Sequence, residues 1–366
     1  MTKRIRVGVI GANVQRGWAS KTHLPVLKLL DVDFDVTAVC TTRQQTAEEA
    51  AHKFGVPRAY SDFNKLVTDP EVDLAVVCVR VDRHLEPVMA AVDAGKHVFC
   101  EWPLGRSTAE ANVMMAAAYK RGVVTQVGLQ TRQSPIIRYA RDLIRKGFIG
   151  SLRSVTATSA TSQWGGRLTS EFAYGADANI GVNVYTIHAS HLVDTITNLL
   201  GGFKEISSTV ANVRSETLIV DTGETVPFTS PDQVVINGRL FNGAVVALHL
   251  QSGVAGETGL HIVVRGTEAD LMITSTGHIP TADLTLLAAR PDGSPEELPI
   301  PEQYLPPFMQ SLPQVSGNVA QGYLHMSTAI REEHQSNPNF ADAVALHHLM
   351  DRIRVAAETG LRQDFE

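Results

Sequence analysis

Gly11, Asn13, Val14 and Gly17 fall in the run Gly11-Ala12-Asn13-Val14-Gln15-Arg16-Gly17, directly after the apolar stretch Arg4 to Ala12. Backbone N–H groups at such a strand-to-helix turn can hold a phosphate, provided that no bulky side chain stands where the oxygens must come. The chemistry this spacing suits is the pyrophosphate of a dinucleotide. Asn13 replaces the second glycine of the fingerprint and tolerates left-handed backbone better than most residues. Trp18 follows the turn. The second strand-like run ends Cys40-Thr41-Thr42-Arg43, with no acid to hold a ribose 2′-hydroxyl. Thr41 and Arg43 therefore leave NAD and NADP both open. Arg43 can meet a 2′-phosphate, or lie in solvent as the first residue of a helix.

A second constellation lies in "NVYTIHASHLVDTITNLLG", where His188 and His191 stand at i, i+3 on one helix face, after Asn183 and Tyr185. An imidazole with an ordinary pKa near 6.5 is suited to moving protons at neutral pH. Aromatic and basic residues recur beside turns of the chain: Lys21 and His23 after the glycine turn, Arg132 in "LQTRQSP", Trp164 and Arg167 in "SQWGGR". Aromatic faces with convergent cations suit a carbohydrate that carries a negative charge. Trp102 offers an apolar shelf for a flat ring, or packing at a strand end, and Glu101 buttresses that loop. Tyr323 and His325 are weaker candidates. His347 and His348 lie within a helical pattern and are read as structural. No Asp/His cluster has the spacing of a metal site.

The elements that must position these residues alternate. Strand-like runs at Arg4–Ala12, Phe34–Thr42, Val72–Arg80 and "KHVFCEW" are separated by helical patterns, one stopped by Gly55 and one capped by Ser107 with Glu110 three residues on. Crossovers of that length give a parallel, doubly wound sheet. Beyond about residue 150 the runs "LRSVTATSAT", "VVINGRLFNGAVVALHLQSG" and "GLHIVVRGTEADLMIT" are β-rich, with turns at Asn242-Gly243 and Gly266-Thr267. The expected architecture is α/β: a Rossmann domain over 1–128, then an α+β domain over 129–366 with a large, mostly antiparallel open sheet, serving substrate binding and oligomerisation. Pro291 to Pro313 reads as a surface loop, and "NFADAVALHHLMDRIRVAAETG" as a terminal amphipathic helix. The net charge of −6 argues against a general nucleic-acid surface. Cys40, Cys78 and Cys100 have no CxxC spacing and read as buried thiols in a reducing compartment. No apolar run is long enough to span a membrane, so a cytoplasmic protein is expected.

With these runs in hand, the chain resembles the glucose–fructose oxidoreductase / inositol dehydrogenase / rhizopine-catabolism (Gfo/Idh/MocA) family. Ala94 to Pro103 is similar to the family's "AGKHVxxEKP", Arg80-Val81-Asp82-Arg83-His84 to its "TPxxxH", and Gly147-Phe148-Ile149-Gly150 to its step into the second domain. "GANVQRGWASKTHLP", "EWPL" and "DAVALHHLM" resemble the branch of the fungal galactose-pathway repressor and its bacterial relatives. The resemblance implies NAD or NADP as cofactor, with Val79, His84, Glu101 and Trp102 at the nicotinamide. It also implies His191 as the acid/base on a substrate hydroxyl, with His188 or Tyr185 assisting. Lys21, Trp102, Arg132, Trp164, Arg167, Asn183 and His188 would then face the substrate. Two family features are missing: the proton-moving lysine is Trp102 here, and the carboxylate four residues before His191 is Ile187. Three functions follow as expectations. The first is oxidation of a secondary hydroxyl, at C3, of a sugar or glycoside, anionic ones included. The second is a redox-neutral, NAD-dependent glycoside hydrolase acting on sulfonated or carboxylated glycosides. The third is a non-catalytic NAD(P)- or sugar-sensing regulator. The partners expected are a small carbohydrate and copies of the chain itself, as a homodimer or homotetramer through the C-terminal sheet, with neither nucleic acid nor membrane.

Overall fold

A computed structural model describes residues 3–279, 281 and 283–365. The chain divides into two compact units, the first of Met1–Gln130 with Ser316–His347 and the second of Thr131–Val315 with His348–Glu366.

The first unit is built on six parallel strands: β1 (Ile5–Ile10), β2 (Phe34–Cys40), β3 (Arg58–Tyr60), β4 (Leu74–Val77), β5 (His97–Cys100) and β6 (Thr125–Val127). Their order, β3-β2-β1-β4-β5-β6, reverses direction between β1 and β4. β1 and β4 are nearly wholly buried, which is why they read as continuous apolar runs rather than alternating ones. Connecting helices end where their sequences say. Gly55 and Gly122 adopt left-handed backbone at the ends of helices Gln44–Phe54 and Thr108–Arg121, and the Ser107 hydroxyl accepts the Glu110 N–H at the start of the latter. The helix Gln314–Arg331 gives the unit a further layer. Tyr323 from this helix is fully buried, stacked on Phe99 at 5.0 Å between ring centroids and set edgewise to Phe34 at 5.4 Å.

The second unit carries β7 (Ser154–Thr161), β8 (Arg167–Leu168), β9 (Phe203–Ala211), β10 (Glu216–Ile219), β11 (Glu224–Pro227), β12 (Gln233–Leu240), β13 (Val245–Ser252), β14 (Gly259–Arg265), β15 (Asp270–Ser275), β16 (Thr285–Ala289), β17 (Glu296–Glu297) and β18 (Gln363–Asp364). Nine of them form one sheet, ordered β17-β16-β15-β14-β7-β13-β12-β9-β18. It is antiparallel except at β7–β13. Alternate residues of β12 and β14 are buried, as a sheet with one covered face requires. β8, β10 and β11 make a small separate sheet. The 291–313 segment is not the plain surface loop expected of its prolines. It holds two short 3₁₀ turns, and Tyr304 buries its ring and donates its hydroxyl to Asp142 at 2.6 Å.

The three cysteines are buried free thiols. Among the described residues no helix is long and apolar enough to cross a membrane.

Candidate functional site

In the first unit the glycine turn lies at the carboxyl end of β1, beside the reversal of strand order where doubly wound sheets open a crevice for ligands. Gly11 has φ +100°, and a Cβ there would lie 2.2 Å from the Cys78 carbonyl oxygen that follows β4. Gly17 has φ +102°. Asn13 does not use the left-handed backbone that it tolerates; among the described non-glycine residues only Trp164, Asp292 and Glu333 do. Its side chain accepts the N–H groups of Gln15 and Arg16 at 3.0 and 3.3 Å, which shapes the turn by a different device. Val14 is half-buried in the turn. The Trp18 indole N–H is buried with no partner inside the protein, a donor left over for a ligand. This cradle, with two glycines at positive φ, the first without room for a Cβ, and an orphaned donor, fits a dinucleotide pyrophosphate.

The flanking residues divide between site and scaffold. The Thr41 hydroxyl turns inward, donating to the Arg43 carbonyl (2.9 Å) and lying 2.6 Å from the Thr46 hydroxyl, and so ties the strand end to the start of the next helix. Arg43 is exposed at that helix's N-cap position. His84 is buried between the Val79 carbonyl, 2.9 Å from Nε2, and the Pro103 carbonyl, 2.9 Å from Nδ1, and burial lowers its pKa. It thereby ties the segment after β4 to the segment after β5. Glu101 accepts from His23 Nε2 at 2.8 Å, and His23 Nδ1 lies 2.7 Å from the Tyr323 hydroxyl. Gly128 leaves room for that carboxylate, because a Cβ there would stand 2.6 Å from Glu101 Oε2. Trp102 is 7% exposed, with its ring centroid 4.8 Å from that of His347. Lys21 is exposed.

The second unit holds the histidines. A turn of π-helix, Val184–Ala189, leads into helix Ser190–Leu200 and brings His188 and His191 inside, at 2% and 3% exposure. Asn183 caps this element, its side chain accepting the N–H groups of Tyr185 (3.0 Å) and Thr186 (3.1 Å). His191 Nδ1 is buried without a partner inside the protein. Its protonation is pushed down to about 3, by burial first and by His278 second. His188 is held well below the ordinary range by burial, His278 and His191. His278, which nothing in the sequence singled out, lies half-buried on the segment after β15, its ring centroid 4.2 Å from that of His188. Trp164 meets His188 edge-on at 5.5 Å, and its own ring N–H is buried and unpartnered. Trp164 holds φ +59°, a backbone conformation that an aromatic residue adopts only at a cost. Two orphaned polar atoms and strained backbone around neutral imidazoles mark a place made to receive a polar ligand.

Other expected residues are engaged differently. Tyr185 is buried, and its hydroxyl donates to the Met350 carbonyl; burial raises its pKa, so it is set for packing rather than proton transfer. Arg132 grips Asp194, with Nε 3.0 Å from both carboxylate oxygens and an Nη at 2.6 Å. That grip engages one of the cations expected to receive an anionic substrate, and it occupies the carboxylate three residues past His191. Arg167 is exposed on β8. Among the described residues no group of three His, Cys, Asp or Glu has an arrangement that holds a metal.

Residues 5–129 match the family model described as oxidoreductase family, NAD-binding Rossmann fold, and residues 135–275 match the model of the Gal80p C-terminal domain. Among curated proteins, dehydrogenase aclE of Aspergillus oryzae is 32% identical over 250 residues, 66% of this chain and 68% of that one. The galactose/lactose metabolism regulatory protein GAL80 of Saccharomyces cerevisiae is 30% identical over 289 residues, 74% of this chain and 66% of that one. Among solved structures, levoglucosan dehydrogenase in complex with NADH and L-sorbose superimposes with a TM-score of 0.85 at 21% identity, covering 99% of each chain, a likeness of fold.

Proposed function

Since the chain belongs to the Gfo/Idh/MocA oxidoreductase family, near its galactose-regulator branch, we propose that it oxidises a secondary hydroxyl of a sugar or glycoside with NAD(P). The cofactor, when bound, supplies the acceptor for the hydride from the carbinol carbon. The observation that carries the reading is the buried His188–His191 pair, neutral at working pH, with a free Nδ1 on His191. A neutral imidazole accepts the hydroxyl's hydrogen bond without first losing a proton of its own. Trp164 contributes its ring N–H to another substrate oxygen and its face to the apolar side of a sugar ring. Asn183 fixes the helix start that aims the pair, and Arg132 with Asp194 braces the same helix. Gly11 and Gly17 hold the nucleotide, and the exposed Arg43 favours a 2′-phosphate.

A second reading is favoured by Trp102. Where the family carries a proton-moving lysine, an aromatic ring packs on His347. A redox-neutral glycoside hydrolase, which oxidises, eliminates the aglycone, adds water and reduces again, exports no net proton and needs no lysine there. One experiment separates the readings. The protein is incubated with NAD or NADP and a panel of free sugars and aryl glycosides, following NAD(P)H and free aglycone together. NAD(P)H accumulation supports the oxidoreductase, and aglycone release without it supports the hydrolase. Neither product, with nucleotide bound, rejects both in favour of a regulator.

A further inference from the structure

Oxidation of a carbinol breaks its C–H and O–H bonds and forms C=O. The hydride leaves with both electrons of the C–H bond, and the hydroxyl proton must leave separately. His191 is a poor place for that proton to stay, since burial opposes the charge. Position 102, where a lysine would take it, is a tryptophan. The second unit holds another route, graded from dry to wet. His191 and His188 are nearly sealed, His278 is half-buried with its ring 4.2 Å from His188, and Glu257 is exposed. Glu257 is not a loose surface acid. Its Oε1 accepts the Ser162 N–H at 2.8 Å, the Ser162 hydroxyl at 2.6 Å and the Thr161 hydroxyl at 3.2 Å, and these bonds keep it ionised. Its charge raises the proton affinity of His278 against burial. The groups that face His278 are thus His188 and His191 on the helix, Glu257 on the segment before β14, and the Thr281 hydroxyl, 3.4 Å from Nε2.

We infer that His278, set against His188 and facing Glu257, relays the substrate's hydroxyl proton out of the buried histidine pair to solvent, by a route that bypasses position 102. The inference rests on the oxidoreductase reading. The proton passes from the hydroxyl to the His191–His188 pair, then to His278, and is released to water beside Glu257. No further oxidant or co-reactant is consumed. Protonating His278 costs less than protonating either buried ring, and one charge among three close imidazoles excludes a second. His278 acts through the pair, so it is a relay residue rather than a contact of the reacting atoms.

The test uses the full chain and the variants His278→Gln and Glu257→Gln. His278→Gln should lower kcat for sugar oxidation at least tenfold with NADH affinity unchanged, and imidazole added to the buffer should restore a good part of the loss. Glu257→Gln should shift the acid limb of the pH–rate profile to lower pH, because the charge that holds the proton on His278 is gone. Independently of any sugar, histidine NMR titration should show the His188 midpoint rising in His278→Gln. Wild-type turnover in His278→Gln overturns the relay, as does a loss that imidazole does not restore, or an unmoved His188 midpoint. Should the wild-type protein reduce no nucleotide with any sugar, the oxidoreductase reading fails and takes the relay with it, an outcome told apart by the wild-type control alone.

Discussion

Acid should unfold the second unit through its histidines, and His191 allows the size of the effect to be worked out. The ring is 3% exposed and its protonation is pushed down to about 3. In an unfolded chain a histidine titrates near 6.5. Between those two values the unfolded chain binds a proton that the native ring refuses, so stability rises with pH across the window and falls as pH drops below about 6.5. Each pH unit is worth about 1.4 kcal/mol. At pH 5 this ring alone therefore costs about 2 kcal/mol, against a total stability of order 5–15 kcal/mol for a typical domain. His188 acts in the same direction. His191→Gln removes the titrating group while keeping a polar side chain of similar length. Urea unfolding followed between pH 7 and 5 should show the variant losing about 2 kcal/mol less than the wild type over that interval. Equal losses would mean that His191 is not a buried neutral ring, and the dry base pair would have no physical ground.

Three other perturbations probe the remaining parts. Gly11→Ala drives a Cβ against the Cys78 carbonyl in a backbone conformation that L-residues avoid. It should cost about 1–3 kcal/mol in thermal stability and weaken NADH binding at least tenfold by calorimetry. Arg132→Ala takes the guanidinium from the Asp194 carboxylate, which is 1% exposed; a loss of about 3–5 kcal/mol is expected by urea titration, with much of it recovered in the double variant Arg132→Ala/Asp194→Asn. Tyr323→Phe keeps the ring but leaves buried His23 Nδ1 without its phenol; it should cost about 1–3 kcal/mol and loosen NADH binding through Glu101, and unchanged values for both would separate His23 from the nucleotide side.

Much of the first unit was legible because parallel strands buried on both faces are continuous apolar runs, and because a phosphate turn has little choice but glycine. The capping residues Ser107 and Gly55 were legible for the same local reason. Asn13 was chosen for its tolerance of left-handed backbone and in fact works by accepting two N–H groups, a choice that residue type alone leaves open. His188 and His191 could be paired from their spacing, since one helix face is a local property. His278 could not: it comes from beyond a strand end about ninety residues further on, and only the tertiary fold brings its ring to His188. A histidine next to a glycine, "TGHIP", carries no periodicity to announce it. The fate of Arg132 was hidden for the same reason, as its partner lies 62 positions away. The helix Gln314–Arg331 left its mark only as two weak candidates, Tyr323 and His325, although it completes the first unit.

That last helix bears on how the protein comes to be made. The six strands of the first unit are synthesised within the first 127 residues, but the tyrosine that fills the space between Phe34 and Phe99 and satisfies His23 is residue 323. A ribosome adding about 5–20 residues per second therefore holds an unfinished nucleotide domain for roughly ten to forty seconds, with an apolar hollow open and a buried-type histidine lacking its partner. Domains usually close in the order they emerge; here the first must wait for most of the second. A chain cut near residue 130 should accordingly behave as a sticky fragment rather than as a free-standing nucleotide-binding domain, and supplying 316–347 in trans should rescue its solubility.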